Sequence, residues 1–194
     1  PDIYSMAKDF GFRGIEVRGL GEEIFAVKAK PFLKENIEET TRQLEKLHLE
    51  IPCLSSGCAL RFADRIEETI GEIRQYIDLA ARLGTPYIRV LGDLTAAPVD
   101  EVDDEAVLAA LKRLVPYAEE KNVTLLVETN GVYADTTRLC RLLDQICSDR
   151  VAALWDIHHP YRFAGESPEQ TVQNLGAYIK HTHIKDSVML DGKV

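Results

Sequence analysis

The chain of 194 residues is 45% hydrophobic and 28% charged. That is the balance of an ordinary globular protein, enough for one sizeable core or for a larger domain that is incomplete. A net charge of −9 argues against a grip on a phosphate backbone, which needs clustered Lys and Arg. No apolar run approaches the roughly 20 residues that span a bilayer, and the start Pro-Asp-Ile-Tyr4 lacks the regions of a signal peptide. The expected partner is therefore a small molecule rather than nucleic acid or a membrane, and the expected location is the cytoplasm.

Helix and strand alternate along the chain. Tyr4 to Phe10 reads as the end of a helix, and Gly11 and Gly14 lead into a strand, Ile15-Glu-Val-Arg18. A helix over 36–48 precedes the strand Ile51-Pro-Cys-Leu-Ser-Ser56. From Asp64 to Leu83, Ile66, Ile70, Ile73, Ile77 and Ala80 recur at the spacing of one buried helical face. Gly84 stops that helix, and Pro86 introduces the strand Tyr87–Leu91. The next helix spans 103–121 with Val107, Leu111, Leu114 and Ala118 inward and a kink expected at Pro116. Strand Thr124–Glu128, a helix over 135–147 and strand Ala152–Ile157 follow. Ser167-Pro-Glu-Gln170 combines an N-cap serine, a first-turn proline and a glutamine three residues on, which starts a last helix before strand Ile179–Lys185. The cysteines at 53, 58, 140 and 147 form no Cys-x-x-Cys pair, so zinc-ribbon and redox readings are weak. Cys140 and Cys147, seven apart on one expected helix, are expected to share a face as buried free thiols.

Such alternation implies a parallel sheet with right-handed crossovers. An open doubly wound sheet would advertise a glycine-rich first turn for a phosphate, and the sequence has no Gly-x-Gly-x-x-Gly or Walker-type loop. Chemistry at the ends of several strands favours an α/β (β/α)₈ TIM barrel. Only six helix–strand units are legible where a barrel has eight strands. The expectation is a single TIM-barrel domain over 1–194, incomplete, lacking the first and eighth strands, and a fragment of a longer barrel. Alternatively, a partner chain closes the gap, so homo-oligomerisation is allowed.

Three consecutive strand ends carry metal-ligand chemistry: Leu-Val-Glu128-Thr-Asn130, Trp-Asp156-Ile-His-His159 and His181-Thr-His183-Ile-Lys-Asp186. Alone, each Glu or Asp would read as a solvated loop or cap residue and each His as a satisfied core or surface group. Jointly a Glu, an Asp and a His from three strand ends, Glu128, Asp156 and one of the pair His181 and His183 that share a face, read as an open site for a divalent ion. Carboxylates with one imidazole and no thiolate suit Mn²⁺ first, with Mg²⁺, Co²⁺ or a non-structural Zn²⁺ as alternatives. Asn130 points to the same side as Glu128. Glu16 and Arg18 share one face of the first strand, and Arg89 lies within another. Charge inside a barrel is costly unless paired, so these groups either pair below the site or reach the substrate. Lys185 and Asp186 directly follow the last histidine, with Lys185 able to support a ligand or meet an anionic substrate group.

These motifs, with Gly-Phe-Arg-Gly-Ile-Glu-Val-Arg18, resemble the xylose isomerase-like TIM barrels. That family includes sugar and sugar phosphate isomerases and epimerases, inosose-type dehydratases and isomerases, hydroxypyruvate isomerase and endonuclease IV. The resemblance implies that Glu128, Asp156 and His183 are three of four metal ligands and that His159 contacts substrate beside the metal. It also implies that Glu128 is one of two metal-bound glutamates exchanging protons with a substrate carbon. The second, on the eighth strand, has no match here. Endonuclease IV resembles a trinuclear zinc site with extra histidines, and the strand ends Cys-Leu-Ser-Ser-Gly57 and Val-Leu-Gly-Asp93 lack them. The expected activity is a metal-dependent isomerase or epimerase of a small sugar, sugar phosphate or related polyol ketone, with Glu128 and His159 as catalytic residues. Glu16, Arg18, Asn130, His159 and Lys185 are the expected substrate contacts. A dehydratase of inosose or dehydroshikimate type is the nearest alternative; a non-catalytic sugar-binding barrel is a further one.

Overall fold

Inward and outward residues separate cleanly in a five-stranded, all-parallel sheet with strand order β1-β2-β3-β4-β5. The computed structural model describes residues 3–99 and 101–188. The strands are β1 (Cys53–Ala59), β2 (Tyr87–Leu91), β3 (Thr124–Glu128), β4 (Val151–Asp156) and β5 (Ile179–His183). The helices are α1 (Ile3–Asp9), α2 (Ile37–Leu47), α3 (Ile66–Leu83), α4 (Asp104–Lys121), α5 (Thr136–Asp144) and α6 (Pro168–Leu175). Every strand is followed or preceded by a helix, and strands adjacent in sequence are adjacent in the sheet, the arrangement of a partial (β/α) barrel. No helix among the described residues is long and apolar enough to cross a membrane.

Strand periodicity of two assigns each residue to one of two faces. Leu54, Ile88, Val90, Leu125, Val127, Val151 and Ala153 join the large core shared with the helices. Leu126, Ala152 and Leu154, with Tyr87 against them, form a separate small cluster on the other face. Continuing those inward positions along each strand reaches Arg89, Glu128, Asp156 and His183. The interior is thus an apolar floor with a polar layer at the carboxyl ends of the strands.

Local chemistry sets most element ends as the sequence predicts. Asp103 caps α4 by accepting from the amides of Glu105 (3.0 Å) and Ala106 (3.3 Å). Ser167 caps α6 by accepting from Gln170, and Gly84 ends α3 in the left-handed conformation that a Cβ disfavours. Pro116 lies inside α4, which runs unbroken to Lys121.

Three expectations require correction. Ile15–Arg18 is not a paired strand: it touches the sheet through two isolated parallel bridges, Gly14 to Glu50 and Val17 to Leu54. Among the described residues, five strands therefore stand where six were expected. The turn formed by Leu20 and Glu23 pulls the chain away after Val17. Cys140 and Cys147 do not share a buried helical face, because α5 ends at Asp144 and Cys147 adopts a left-handed conformation (φ 53°). Cys147 is exposed, Cys140 half-buried, and only Cys53 and Cys58 are buried free thiols.

The loops above β2 and β3 are clamped by Asp93. Its fully buried carboxylate accepts from Arg61 (2.9 Å) and from the amides of Leu94, Val99 and Val132. Gly131 adopts φ +58°, and a Cβ there would fall 2.2 Å from Asp93 Oδ2. At Gly165 (φ +66°) nothing lies within 4 Å of a Cβ. Gly165→Ala should therefore cost only the backbone term of about 1–2 kcal/mol. Gly131→Ala should cost clearly more, because it also breaks a buried charge network. Urea unfolding of both variants checks the difference; equal losses would refute the clamp.

Candidate metal centre

Three consecutive strands deliver their last residues to one end of the interior. Asp156 and His183 are direct register partners between β4 and β5, whereas Glu128 pairs with Leu154, two residues before Asp156. Thr129 fills this stagger: its hydroxyl accepts from the Asp156 amide (3.0 Å) and donates to the Asp156 carbonyl (3.2 Å). Beyond Asp156 the chain turns sharply, and its Oδ1 accepts from the amides of His158 and His159. A π-helical turn, Pro160–Ala164, follows. These bonds fix one carboxylate oxygen of Asp156 and leave Oδ2 facing the interior groups.

Glu128 is buried between two partners. Arg89 donates through Nη1 to Oε2 (3.2 Å), and His183 Nδ1 lies 3.2 Å from Oε1. Arg89 is itself held by donating through Nε and Nη2 to the Ser56 carbonyl. The other nitrogen of His183, Nε2, lies 2.9 Å from Glu16 Oε1, and His181 Nε2 lies 2.8 Å from Glu16 Oε2. Ser55 donates its hydroxyl to Glu16 Oε1. On the opposite flank, Lys185 reaches Asp156 Oδ2 at 2.9 Å and His159 Nε2 at 2.5 Å.

These contacts set the charge states. Hydrogen bonds to Glu128 and Glu16 outweigh burial at His183 and raise its pKa to about 9 without a metal. Burial would raise the Glu16 carboxyl, but hydrogen bonds from His181, His183 and Ser55 overcome it and hold the group well below the carboxylate range. Burial lowers the pKa of His159, only partly offset by Asp156. Its Nδ1 lies 2.9 Å from the Thr129 carbonyl, an acceptor only, so Nδ1 carries the proton. The Nε2 lone pair of His159 is then left to accept from Lys185.

The donor set fits a divalent cation. Glu128 Oε1 and His183 Nδ1 lie 3.2 Å apart, and a carboxylate and an imidazole this close could both bind one divalent cation. Ligand atoms of Glu128, Asp156 and His159 also lie within 4.8 Å of one another. The positive charges of His183 and Lys185 balance these carboxylates in the metal-free protein. Metal binding would require His183 to lose its extra proton, since ligands must be deprotonated, and Lys185 to give up Asp156 Oδ2.

Not every sequence candidate faces this centre in the same way. Glu16, Glu128, Asp156, His159, His183 and Lys185 converge on it. Asn130 is buried and spends its amide on the Asp93 carbonyl (2.9 Å), within the loop clamp. Arg18 is exposed beyond the Val17 bridge. The sequence marks both Arg89 and Glu128 but not their pairing, and it gives no sign of the roles of Ser55, Thr129 and Asp93. Small hydroxyl residues at strand ends are too common to signal a role, and Asp93 would read as an ordinary turn residue.

A family model described as xylose isomerase-like TIM barrel matches residues 5–193. No curated protein sequence matches the chain. Among solved structures, the probable 3-DHS dehydratase AsbF involved in petrobactin synthesis from Bacillus anthracis superposes with a TM-score of 0.73 at 24% identity, over 94% of this chain and 66% of that one. The apo form of 3-keto-D-glucoside 4-epimerase, YcjR, from E. coli gives 0.74 at 18% identity, over 97% and 77%. A xylose isomerase-like TIM barrel protein from Mycobacterium smegmatis in complex with magnesium gives 0.73 at 16% identity, over 94% and 64%. The chain thus spans about two thirds of the length of several structures it resembles. With the parallel half-barrel and the family match over nearly its whole length, the chain belongs to the xylose isomerase-like TIM barrel family.

Proposed function

We propose that this protein is a divalent-metal-dependent isomerase or epimerase of a small sugar or related polyol ketone. The observation that carries the reading is that Glu128 meets His183 at 3.2 Å and also clusters with Asp156 and His159, whose ligand atoms lie within 4.8 Å of one another. Glu128, Asp156 and His183 would hold the ion, which when bound supplies Lewis acidity toward adjacent substrate oxygens. Mn²⁺ is the preferred ion, with Mg²⁺, Co²⁺ or Zn²⁺ as alternatives; the magnesium complex of a related barrel supports a divalent cation.

The chain's own groups would then move protons. Glu128 would take a proton from the carbon next to the carbonyl, giving an enediolate, and return it to the neighbouring carbon as the hydroxyl proton moves between the two oxygens; epimerisation would instead need a second acid to protonate the opposite face of the same carbon. Because both its oxygens have protein partners, it must release one of them to do so. His159, neutral and with its Nε2 lone pair inward, accepts a hydrogen bond from a substrate hydroxyl in place of the one from Lys185.

One feature favours dehydration as a second reading. Lys185 is an ammonium donor 2.5 Å from His159 Nε2, placed to protonate a departing β-hydroxyl after the same proton abstraction. A related barrel bearing a dehydratase name is consistent with it. Incubating the Mn²⁺-loaded protein with candidate keto-sugars separates the two: the isomerase yields a product of unchanged mass, the dehydratase one lighter by a water.

Glu128→Gln should weaken Mn²⁺ binding in calorimetry beyond the roughly 10- to 100-fold typical of an outer partner, with circular dichroism unchanged. Full occupancy in that variant would sink the ligand assignment. In the metal-free protein, the pKa of His183 is raised from its ordinary value of 6.5 to about 9. Its stabilising contribution is therefore complete below about pH 6.5 and is lost as pH rises through 9. Thermal melts in chelator should fall over that window, and His183→Gln should remove this component of the fall.

A further inference from the structure

Glu16 was a candidate substrate contact, yet both its oxygens are committed within the protein. Oε1 meets His183 Nε2 at 2.9 Å and also accepts from Ser55, while Oε2 meets His181 Nε2 at 2.8 Å. Val17, the next residue, is bridged to Leu54, donating to the Cys53 carbonyl and accepting from the Ser55 amide. The backbone that carries Glu16 is therefore fixed to β1. His183 lies 167 residues away on β5, so this carboxylate crosses the interior and joins its two sides.

An imidazole offers one lone pair when neutral, and the hydrogen bond made by one nitrogen decides which nitrogen presents it. A carboxylate can only accept. With Glu16 on Nε2, the proton of neutral His183 stays there, and the lone pair falls on Nδ1, the nitrogen that faces Glu128. We infer that Glu16 is the positioning residue for the metal ligand His183, holding its ring and tautomer while His181 and Ser55 hold Glu16. This inference rests on the proposed role of His183 as a ligand. A separate metal at Glu16, Cys53 and His181, whose ligand atoms also lie within 4.8 Å of one another, would require the carboxylate to leave these partners.

The test uses Zn²⁺, which is diamagnetic, on wild type and on Glu16→Gln, Glu16→Ala and His183→Ala. Glu16→Gln is nearly isosteric and guards against misfolding in the alanine variant. Removing an outer carboxylate should weaken Zn²⁺ about 10- to 100-fold in Glu16→Ala, with a smaller loss in Glu16→Gln. In ¹⁵N-histidine spectra of the zinc-loaded wild type, His183 should show a slowly exchanging Nε2–H that broadens away in both Glu16 variants. Unchanged affinity and an unchanged Nε2–H in those variants, with binding lost in His183→Ala, would overturn the positioning role alone. Tight zinc binding in His183→Ala would overturn the ligand reading and this inference with it. Loss of a second zinc equivalent in Glu16→Ala, with the first retained, would instead assign Glu16 to its own metal site.

Discussion

Charge buried inside a parallel sheet has to be paired. The desolvation penalty for an isolated carboxylate is several kcal/mol and is recovered only by close, oriented partners. That constraint organises the upper interior of this barrel. Arg89, held on the Ser56 carbonyl, neutralises one oxygen of Glu128, and His183 takes the other and passes the connection to Glu16 and His181. Lys185 balances Asp156. The resulting chain of contacts links the carboxyl ends of β2, β3, β4 and β5 to the segment before β1. It also leaves donors within ligand distance of one another.

A site built this way has its cation contacts divided by side. The Glu128–His183–Glu16 side is rigid: its groups lie on strands or on backbone bridged to a strand, and each has at least two partners. The Asp156–Lys185–His159 side mixes a fixed carboxylate with a half-exposed lysine beyond the end of β5. The first arrangement suits ion retention, which depends on geometry held by outer partners. The second suits substrate exchange, because a lysine stem can swing without disturbing the sheet.

How much of this was legible in the sequence varies with the range of the interaction involved. Apolar periodicity marks α3 and α4 and the start motif at Ser167 marks α6, while local caps such as Asp103, Ser167 and Gly84 set where helices start or stop. Ile15–Arg18 looked like a strand because its residues alternate, yet a strand is defined by continuous pairing, and only Gly14 and Val17 are bridged. The α5 terminus was missed for a related reason. The left-handed turn at Cys147 returns the chain to β4, a requirement set by the sheet rather than by local propensity.

The sequence by itself determined the class of chemistry: three apolar strands ending in Glu128, Asp156 and His183 carry a carboxylate–imidazole set whatever their exact packing. Inward facing at each strand end also follows from a periodicity of two. Tertiary structure alone decided which groups meet. The stagger between β3 and β4, the 167-residue contact between Glu16 and His183, and the capture of Asn130 by Asp93 all depend on how the sheet curves and where loops cross. Residue type and local spacing encode neither, because the distance between two side chains far apart in sequence is fixed only once the strands between them have paired.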